Sequence, residues 1–419
     1  MWYCQIVEYL PYKIIEKMEH PHLLNLVEQY GSPLYVYDAN VIESQYKHMY
    51  NAFSGVQNLR INYAVKANTN LAVLKVLRSL GSGVDAVSIQ EVQLCLKAGY
   101  TADQIFYTPS GISFEEVEKA VDLGVQITLD NLSILEQFGN KYPSIPVCLR
   151  INPHVMAGGN HKISVGHIDS KFGISIYQIK NIKEVIERTG TVINGIHMHT
   201  GSDIYNIDAF IQATEILLDV VKEFDHIEFV DFGSGFKVPY KEGDNETNIE
   251  RMGEQISKRF NEFCLEYGKD LTLIFEPGKF LVSASGNLLT QVNVVKPTPN
   301  IVFVGVDSGL NHLIRPMMYD AYHHITNISN DDESEQKVYS VVGYICENDT
   351  FGHNRKMNKV SEGDILRLHN AGAYSFSMSS NYNSRYRPAE VMTYKGEDYL
   401  IRERETFEDL LKNQVDITF

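Results

Sequence analysis

A short apolar run, a turn and an amphipathic helical stretch follow one another repeatedly between residues 60 and 280. Helical stretches such as NLAVLKVLRSL (from Asn70) and SFEEVEKAVDLG (from Ser113) separate the apolar runs. Eight runs have the length of buried strands; they begin at Ile61, Val84, Ile105, Gln126, Val147, Gly195, Glu228 and Thr272. Such units predict an α/β fold in which a parallel sheet closes into a (β/α)8 TIM-type barrel. A doubly wound open sheet is the alternative.

After Gly278 the pattern changes to strand-like runs without long helices between them. The runs NLLTQVNVV, IVFVGVD, KVYSVVGYIC, DILRLHNAGAY and AEVMTYKGEDYLI predict a mostly antiparallel β-domain over residues 285–419. The barrel then takes residues 41–284. The N-terminal segment, residues 1–40, lies upstream of the first barrel strand and ends in PLYVYD, so we expect it to pack with the β-domain.

Composition and charge limit the classes of partner. With 37 basic and 53 acidic residues the net charge is −16, which argues against nucleic acid and anionic membrane surfaces. The five cysteines are scattered without a C-x-x-C pair, which predicts no disulfide framework or structural zinc site and favours a reducing cytoplasm. The N-terminus lacks the pattern of a secretory signal, and no apolar run reaches about 18 residues, so no membrane span is expected.

Active sites of such barrels form where the strands end, and unusual residues follow four of the predicted strands. A lysine there can condense with an aldehyde, and a glycine-rich loop lets backbone N–H groups approach an anion. A buried carboxylate needs a cationic or hydrogen-bonding partner, such as a protonated pyridine nitrogen. The candidates are Lys66, His197, His199, Ser202, Gly233, Gly235, Glu276, Gly278 and Lys279.

Together these features fit pyridoxal 5′-phosphate (PLP), with Lys66 as anchor, Gly233 and Gly235 near the phosphate and Glu276 facing the ring nitrogen. Taken singly, each feature also has a structural explanation: a surface lysine, a turn or a salt bridge. A different interpretation makes His197 and His199 the zinc ligands of a hydrolase, although no third or fourth ligand is evident at neighbouring strand ends. We expect no metal, and one of these histidines can instead stack on a heterocycle.

Longer motifs extend along nearly the whole chain: YAVKAN (63–68), RINPHV (150–155), SKFGI (170–174), HMHTGSD (197–203), FEPGK (275–279), DSGLNHLIRPMMYDAYH (307–323), CEND (346–349) and AGAYSFSMSSNYNSR (371–385). On these motifs the chain resembles the PLP-dependent decarboxylases of the alanine-racemase fold, and within them the diaminopimelate decarboxylase family. The last three motifs are far more specific than a generic barrel.

The resemblance implies a role for each matched residue. Lys66 corresponds to the lysine that holds PLP, His199 to the histidine that stacks on the pyridine ring, and Glu276 to the carboxylate facing its nitrogen. Cys346 corresponds to the general acid that returns a proton after carbon dioxide leaves. Further cofactor contacts fall on Ser202, Gly233, Gly235, Pro277, Gly278, Lys279 and Tyr374. The substrate contacts fall on Lys279, Arg315, Tyr319, Glu347 and Tyr374.

The implied reaction is decarboxylation of meso-2,6-diaminopimelate to L-lysine, the last step of lysine biosynthesis. Arg315 can bind a distal carboxylate and Glu347 a distal ammonium, which favours a zwitterionic substrate end. Two alternatives stay open: a decarboxylase of ornithine, arginine or carboxynorspermidine with the same fold, and a non-catalytic homologue that binds a partner protein. The resemblance also implies a homodimer with shared active sites, in which the Cys346 loop reaches across the interface.

Three positions depart from the family pattern. Lys279 stands where arginine is usual; it keeps the charge but loses the bidentate fork. The glycine loop reads G-S-G instead of three glycines, so that Ser234 can add a hydroxyl contact. After the second strand the chain has SIQE (88–91) where G-G-E is common, which we interpret as a variant helix entry.

Overall fold

The computed structural model describes residues 18–155, 166, 169–241 and 243–419. Most of its helices follow strands in the first two thirds of the chain. The helices of the described part are α1 (His20–Tyr30), α2 (Ala39–Ala52), α3 (Leu71–Ser79), α4 (Ile89–Ala98), α5 (Phe114–Leu123), α6 (Leu132–Lys141), α7 (Ile179–Thr189), α8 (Ile207–Val221), α9 (Ile249–Tyr267), α10 (Lys279–Val282), α11 (Arg315–Tyr319) and α12 (Phe407–Leu411).

The strands belong to two separate sheets. In chain order they are β1 (Leu34–Asp38), β2 (Leu59–Ala64), β3 (Gly83–Ala86), β4 (Ile105–Tyr107), β5 (Gln126–Leu129), β6 (Val147–Asn152), β7 (Ile174–Ser175), β8 (Ile193–His197), β9 (Phe229–Asp231), β10 (Thr272–Phe275), β11 (Gly286–Pro297), β12 (Val302–Val306), β13 (Ile325–Asn327), β14 (Gln336–Val342), β15 (Thr350–Asn358), β16 (Ile365–Leu368), β17 (Ala389–Tyr394) and β18 (Glu397–Arg402).

The first sheet is a closed parallel barrel. Its strand order is β5-β4-β3-β2-β10-β9-β8-β6, and pairing of β5 with β6, which places Thr128 opposite Cys148, closes the ring. The short strand β7 adds to β6 in parallel, with Ile151 opposite Ile174. All eight predicted barrel strands are present, so the (β/α)8 prediction is confirmed and the open-sheet alternative is wrong.

Side chains alternate along the barrel strands between the helix-facing core and the barrel interior. In β9, for example, Val230 belongs to the main core, whereas Phe229 belongs to a small separate cluster. That cluster, contributed by four strands, forms a floor inside the barrel and consists of Phe106, Cys148, Phe229 and Ile274. Two residues further along each of these strands the chain places a polar side chain above the floor: Thr108, Arg150, Asp231 and Glu276.

The second sheet is mixed and mostly antiparallel, as predicted. Its main path is β15-β14-β12-β11-β1-β17-β18, and β16 pairs with β11 and β13. Strand β1 pairs antiparallel with β11 and parallel with β17, so Leu34 lies opposite both Leu289 and Ala389. Apolar residues of α1, including Leu23 and Leu26, pack on this sheet. The N-terminal strand therefore belongs to the β-domain; residues 1–17 of the predicted segment lie outside the described residues.

The unusual sequence SIQE does begin a helix, α4. The Ser88 hydroxyl accepts a hydrogen bond from the Glu91 N–H at 3.2 Å, and the Glu91 carboxylate accepts from the Val87 N–H at 2.9 Å. This reciprocal cap satisfies two N–H groups at the start of the helix. None of the helices in the described residues has the length and apolar character needed to cross a membrane.

Candidate active site

A cavity of about 830 Å³ lies between the carboxyl ends of the barrel strands and loops of the β-domain, large enough for a cofactor with its substrate. Ten of the predicted cofactor and substrate residues line it, from barrel and β-domain alike. They are Lys66, His199, Ser202, Gly235, Glu276, Gly278, Lys279, Arg315, Tyr319 and Tyr374. The sequence motifs therefore converge on one site.

Lys66 lies in a short 3-10 turn directly after β2 and reaches the cavity. Its Nζ is 3.0 Å from Oδ2 of Asp85, a carboxylate buried in β3. Burial lowers the pKa of Lys66, but the negative charges of Asp85 and Glu276 outweigh burial and raise it. The turn is fixed from the β-domain, since the Tyr374 N–H donates to the Ala67 carbonyl at 2.8 Å.

Glu276 follows β10 and is 7% exposed. Its Oε2 is 3.0 Å from Nε2 of His197, while its Oε1 is buried without a hydrogen-bond partner. Burial raises the pKa of Glu276, yet the hydrogen bond and charge of His197 and the charge of Lys66 lower it to about 2. Burial and the charge of Glu276 raise the pKa of the neighbouring Asp231, so Glu276 carries the negative charge of this pair.

His199 lies just beyond β8 and presents its ring to the cavity. Burial, followed by the positive charges of Arg150 and Lys66, lowers its pKa to about 3, so the ring is neutral. The glycine loop packs tightly on this segment: a Cβ at Gly233 would lie 2.5 Å from the Met198 carbonyl oxygen. Gly233 also has φ +62°, so both space and backbone conformation require glycine there.

The backbone N–H groups of the glycine loop have hydrogen-bond partners within the protein. The Gly233 N–H donates to Asp231 at 2.8 Å, that of Ser234 to Nδ1 of His199 at 3.5 Å and that of Gly235 to the Ser234 hydroxyl. The next helix, α9, begins at Ile249, so no described helix starts directly after the glycine loop.

Lys279 follows the buried strand β10 and lines the cavity, where it forms an ion pair with Asp203. Asp203 has φ +60° and also lines the cavity. The ammonium group of Lys279 is therefore held in place by the carboxylate of Asp203. Pro277, one of the predicted contacts, accepts the Ala64 N–H at 3.2 Å and joins the ends of β10 and β2.

Arg315 begins α11 on the β-domain side of the cavity and is 9% exposed. Its guanidinium carbon lies 5.3 Å from the centre of the Tyr240 ring, and its Nε is buried without a hydrogen-bond partner. Tyr319 ends the same helix and also lines the cavity. This wall thus offers a buried cation with an unsatisfied donor to a ligand.

Four predicted residues are not part of the cavity lining. Gly233 and Pro277 adjoin lining residues in the chain, whereas Cys346 and Glu347 belong to another loop. Both are exposed on the loop between β14 and β15. The Asn383 amide donates to the Cys346 sulfur at 3.5 Å, and the Tyr382 hydroxyl donates to Glu347. One segment of the same chain therefore holds both side chains away from its own cavity.

Sequence reasoning missed three charged groups of the site: Asp85, Asp231 and Arg150. All three are nearly fully buried and lie inside strands whose apolar neighbours dominated the pattern. Their signal was a charged residue within an otherwise apolar strand run, which is costly unless it is paired. Arg150 lies 4.7 Å above the Phe172 ring and adds positive charge to the cavity wall.

Among the described residues, His197, Asp231 and Glu276 form a group whose ligand atoms are close enough to hold a metal ion. His199 does not belong to that group, so the structure does not support the alternative in which His197 and His199 bind zinc together. The strand ends do supply further carboxylates, Asp231 and Glu276, contrary to the expectation from the sequence.

The residues present fit PLP. The unsatisfied Oε1 of Glu276 matches the N–H of a protonated pyridine ring. A neutral His199 ring suits stacking on that pyridine, and Lys66 places an amine at the same cavity. These residues occupy rigid strand ends and their immediate turns, where a cofactor is held with a fixed orientation.

Comparisons with known proteins agree with this chemistry. The family model "Pyridoxal-dependent decarboxylase, pyridoxal binding domain" matches residues 39–283. Diaminopimelate decarboxylase of Methanothermobacter thermautotrophicus is 39% identical over 416 residues, covering 96% of this chain and 97% of that protein. The Escherichia coli K12 enzyme of the same name is 34% identical over 406 residues, covering 93% and 95%.

A solved structure gives the same result in three dimensions. Diaminopimelate decarboxylase from Helicobacter pylori, complexed with L-lysine, has a TM-score of 0.85 and 31% identity. The alignment covers 93% of this chain and 98% of that chain. The protein therefore belongs to the pyridoxal-dependent decarboxylases, and within them to the diaminopimelate decarboxylase family.

Proposed function

We propose that the protein decarboxylates meso-2,6-diaminopimelate to L-lysine and carbon dioxide with PLP as cofactor, the last step of lysine biosynthesis. The observation that carries this proposal is that Lys66, His199 and Glu276 share one cavity with Arg315 on its opposite wall. The first three suit the cofactor. A buried arginine on the other side suits a substrate with a second carboxylate, which ornithine and arginine lack.

The barrel residues bind and orient the cofactor. PLP, when bound, supplies an electron sink for the electron pair left when carbon dioxide departs. Lys66 anchors it, and Glu276 keeps a negative charge that favours a protonated ring nitrogen. His199 supports the ring face. Further contacts come from Ser202, Gly233, Gly235, Pro277, Gly278, Lys279 and Tyr374.

The β-domain residues select the substrate and handle the proton. Arg315 binds the distal carboxylate, and Glu347 accepts from the distal ammonium. Tyr319 adds a hydroxyl on α11, and Lys279 and Tyr374 also contact the substrate. Cys346 carries the proton that replaces the lost carboxylate. Burial raises the pKa of Tyr374, which therefore stays a neutral hydrogen-bonding group.

The visible spectrum of the purified protein tests the cofactor. We expect an absorbance band of lysine-bound PLP that disappears on borohydride reduction, with the pyridoxyl group then found by mass spectrometry on the peptide containing Lys66. Protein in which exposed Lys75 is changed to alanine serves as the control and should behave like the original protein. Absence of a pyridoxyl group from Lys66 would overturn the proposal.

Carbon dioxide release from meso-diaminopimelate, ornithine and arginine tests the substrate. We expect release from diaminopimelate to exceed the others at least tenfold, about what one lost charge-assisted contact costs. Equal or greater release from ornithine or arginine would show the wrong specificity. No release from any of them would favour the non-catalytic alternative.

We also propose a homodimer in which the Cys346 loop of one protomer completes the partner's cavity. The exposed positions of Cys346 and Glu347, outside their own cavity, support this arrangement. Mixing inactive Lys66→Ala and Cys346→Ala proteins, after dissociation and reassociation, should restore activity, because one of the two shared sites in a mixed dimer is intact. No recovery in verified mixed dimers would contradict shared sites.

The proposed division of the chain follows its two sheets: residues 41–284 for the barrel and 285–419, joined by residues 1–40, for the β-domain. We place the reaction in the cytoplasm. The described cysteines, of which Cys95 and Cys148 are buried, are all free thiols, which suits a reducing compartment.

A further inference from the structure

Two loops that carry proposed substrate residues meet at one buried carboxylate, that of Asp349. The first loop, residues 307–314, leads directly into α11 and so to Arg315. The second, residues 343–349, exposes Cys346. Asp349 is only 3% exposed, although it ends a loop whose preceding residues face solvent.

The partners of Asp349 are main-chain groups of both loops. From the first loop, the Leu310 N–H donates to both carboxylate oxygens, at 2.9 and 3.0 Å. From the second, the Ile345 N–H donates to Oδ2 at 3.3 Å. The Asp349 carbonyl also accepts the Gly343 N–H at 3.0 Å. Asp349 therefore joins the two ends of its own loop and also binds the main chain of the neighbouring loop.

Two glycines, one from each loop, allow this close approach. A Cβ added at Gly343 would lie 2.1 Å from Asp349 Oδ2, and one added at Gly309 would lie 2.5 Å from the same oxygen. Neither glycine has a positive φ, so their backbone conformations suit alanine as well. The nearest obstacle to a side chain at either place is the carboxylate of Asp349.

The loop that contains Leu310 is connected directly to α11, the helix that carries Arg315, so a shift of Leu310 would displace Arg315. The His312 and Leu313 N–H groups both donate to the Gly309 carbonyl, at 2.9 and 3.1 Å, which makes the first loop a compact turn. That turn continues into α11 without an intervening flexible segment. We therefore expect a displacement of Leu310 away from Asp349 to reach α11 and Arg315.

We infer that Asp349 is a positioning residue that fixes the Arg315 loop and the Cys346 loop relative to each other. The inference rests on the proposed function for the roles of Arg315 and Cys346. In the proposed dimer these two loops serve different cavities, because Arg315 lines its own and Cys346 reaches the partner's. Asp349 then links the substrate wall of one active site to the proton donor of the other.

The test is Asp349→Asn, which keeps the shape but puts an amide group where N–H donors now point. Two readouts need no substrate: hydrogen exchange of a peptide covering 307–319, and alkylation of Cys346 by iodoacetamide, followed by mass spectrometry. We expect both to become faster, each by about tenfold, as for a lost hydrogen bond to a charged group. The KM for meso-diaminopimelate should rise by about the same factor while PLP content stays unchanged.

Asp364→Asn is the matched control. Asp364 lies in the same domain and also joins two segments, accepting from the Ser361 N–H and the Asn327 amide, both at 2.8 Å. It contacts neither of the two loops, so exchange over 307–319 and alkylation of Cys346 should match the original protein.

A double-mutant cycle with Gly343→Ala gives a second measure of the contact between Asp349 and the two loops. Alanine at position 343 should reproduce the effects of Asp349→Asn by pushing on the carboxylate. Its Cβ would also lie 2.7 Å from the Gly309 Cα, so its effect should shrink, but not vanish, when Asp349→Ala is already present. Faster exchange without faster alkylation, or the reverse, would show that the loops are independent and overturn the inference. If both respond but diaminopimelate releases no carbon dioxide, the proposed function fails and the coupling of the loops stands.

Discussion

The barrel side and the β-domain side of the cavity are built in different ways. On the barrel side, Lys66 and Glu276 come from strand ends, and each is paired with a buried neighbour, Asp85 or His197. On the β-domain side, Arg315 lies on a five-residue helix and Cys346 on an exposed loop outside the cavity. The residues proposed to bind the cofactor therefore share one cavity within a single chain, whereas Cys346, the proposed proton donor, lies outside that cavity.

This difference follows from what each half has to do. A cofactor that stays bound through many reaction cycles needs groups held by strands and buried hydrogen bonds. A substrate must enter and its product must leave, and loops supply that movement more readily than strands. We expect changes of Lys66 or Glu276 on the barrel side to abolish cofactor binding, and changes of Arg315 or Cys346 on the β-domain side to leave it intact.

The largest expected effect is that of Lys66→Ala. Losing the anchoring amine should reduce turnover by about a thousandfold or more and remove the pyridoxyl-labelled peptide after borohydride reduction. Initial rates of carbon dioxide release and peptide mass spectrometry give the two measurements. Retained activity would show that the barrel side does not hold the cofactor through this residue.

Cys346→Ala should be the next largest, with kcat lower by about a hundredfold and unchanged PLP content, because general acid catalysis is lost without touching the barrel. Stopped assays for L-lysine together with the visible spectrum check both statements. Cys264→Ala, which changes a partly buried cysteine of α9, is the control. A loss of PLP from the Cys346 variant would break the division between the two halves.

Arg315→Lys should act mainly on binding. Lysine keeps the charge but not the fork, so the KM for meso-diaminopimelate should rise by about tenfold while kcat changes less. Steady-state kinetics at saturating PLP separates the two parameters. A fall in kcat alone would place Arg315 in the chemical step instead of at the substrate's far end.

The smallest effect concerns pH and stability. Burial lowers the pKa of His323 to about 3 and that of His312 to about 4, from 6.5. The folded protein keeps both rings neutral, so above pH 6.5 they do not reduce the free energy of unfolding. As the pH falls from 6.5 towards 3, the unfolded chain binds protons that the folded protein does not, and the free energy of unfolding decreases. His323→Asn should weaken this dependence by roughly 1 kcal/mol at pH 5.5, measured as urea midpoints from pH 5 to 8. An unchanged pH profile would contradict it.

The sequence predicted the barrel well because its strands are largely apolar and its helices are amphipathic. It missed β15, whose sequence TFGHNRKMN is largely polar, because an edge strand needs few apolar residues. The predicted helical stretch SFEEVEKAVDLG forms α5 from Phe114 onwards, and the Ser113 side chain makes no capping hydrogen bond.

The residues of the candidate site also divide into those that the sequence could place and those that it could not. Residues at strand ends, such as Lys66 and Glu276, could be placed in one cavity because parallel strands end on one face. The loop of Cys346 could not be placed, since no periodic pattern determines how a loop folds back. Asp85 and Asp231 were hidden because hydropathy does not show which side chains of a barrel strand point inward.

The floor inside the barrel, formed by Phe106, Cys148, Phe229 and Ile274, has a consequence for how substrate and products reach the cavity. Gly195 leaves room for the Phe229 ring, because a Cβ at position 195 would overlap with that ring. The side chains of the floor therefore fill the barrel interior below the polar layer. We therefore expect the diamino acid and both products of the proposed reaction to pass through the opposite end, between the strand ends and the β-domain loops. Entry and release would then share one opening, so that product has to leave before the next substrate can bind.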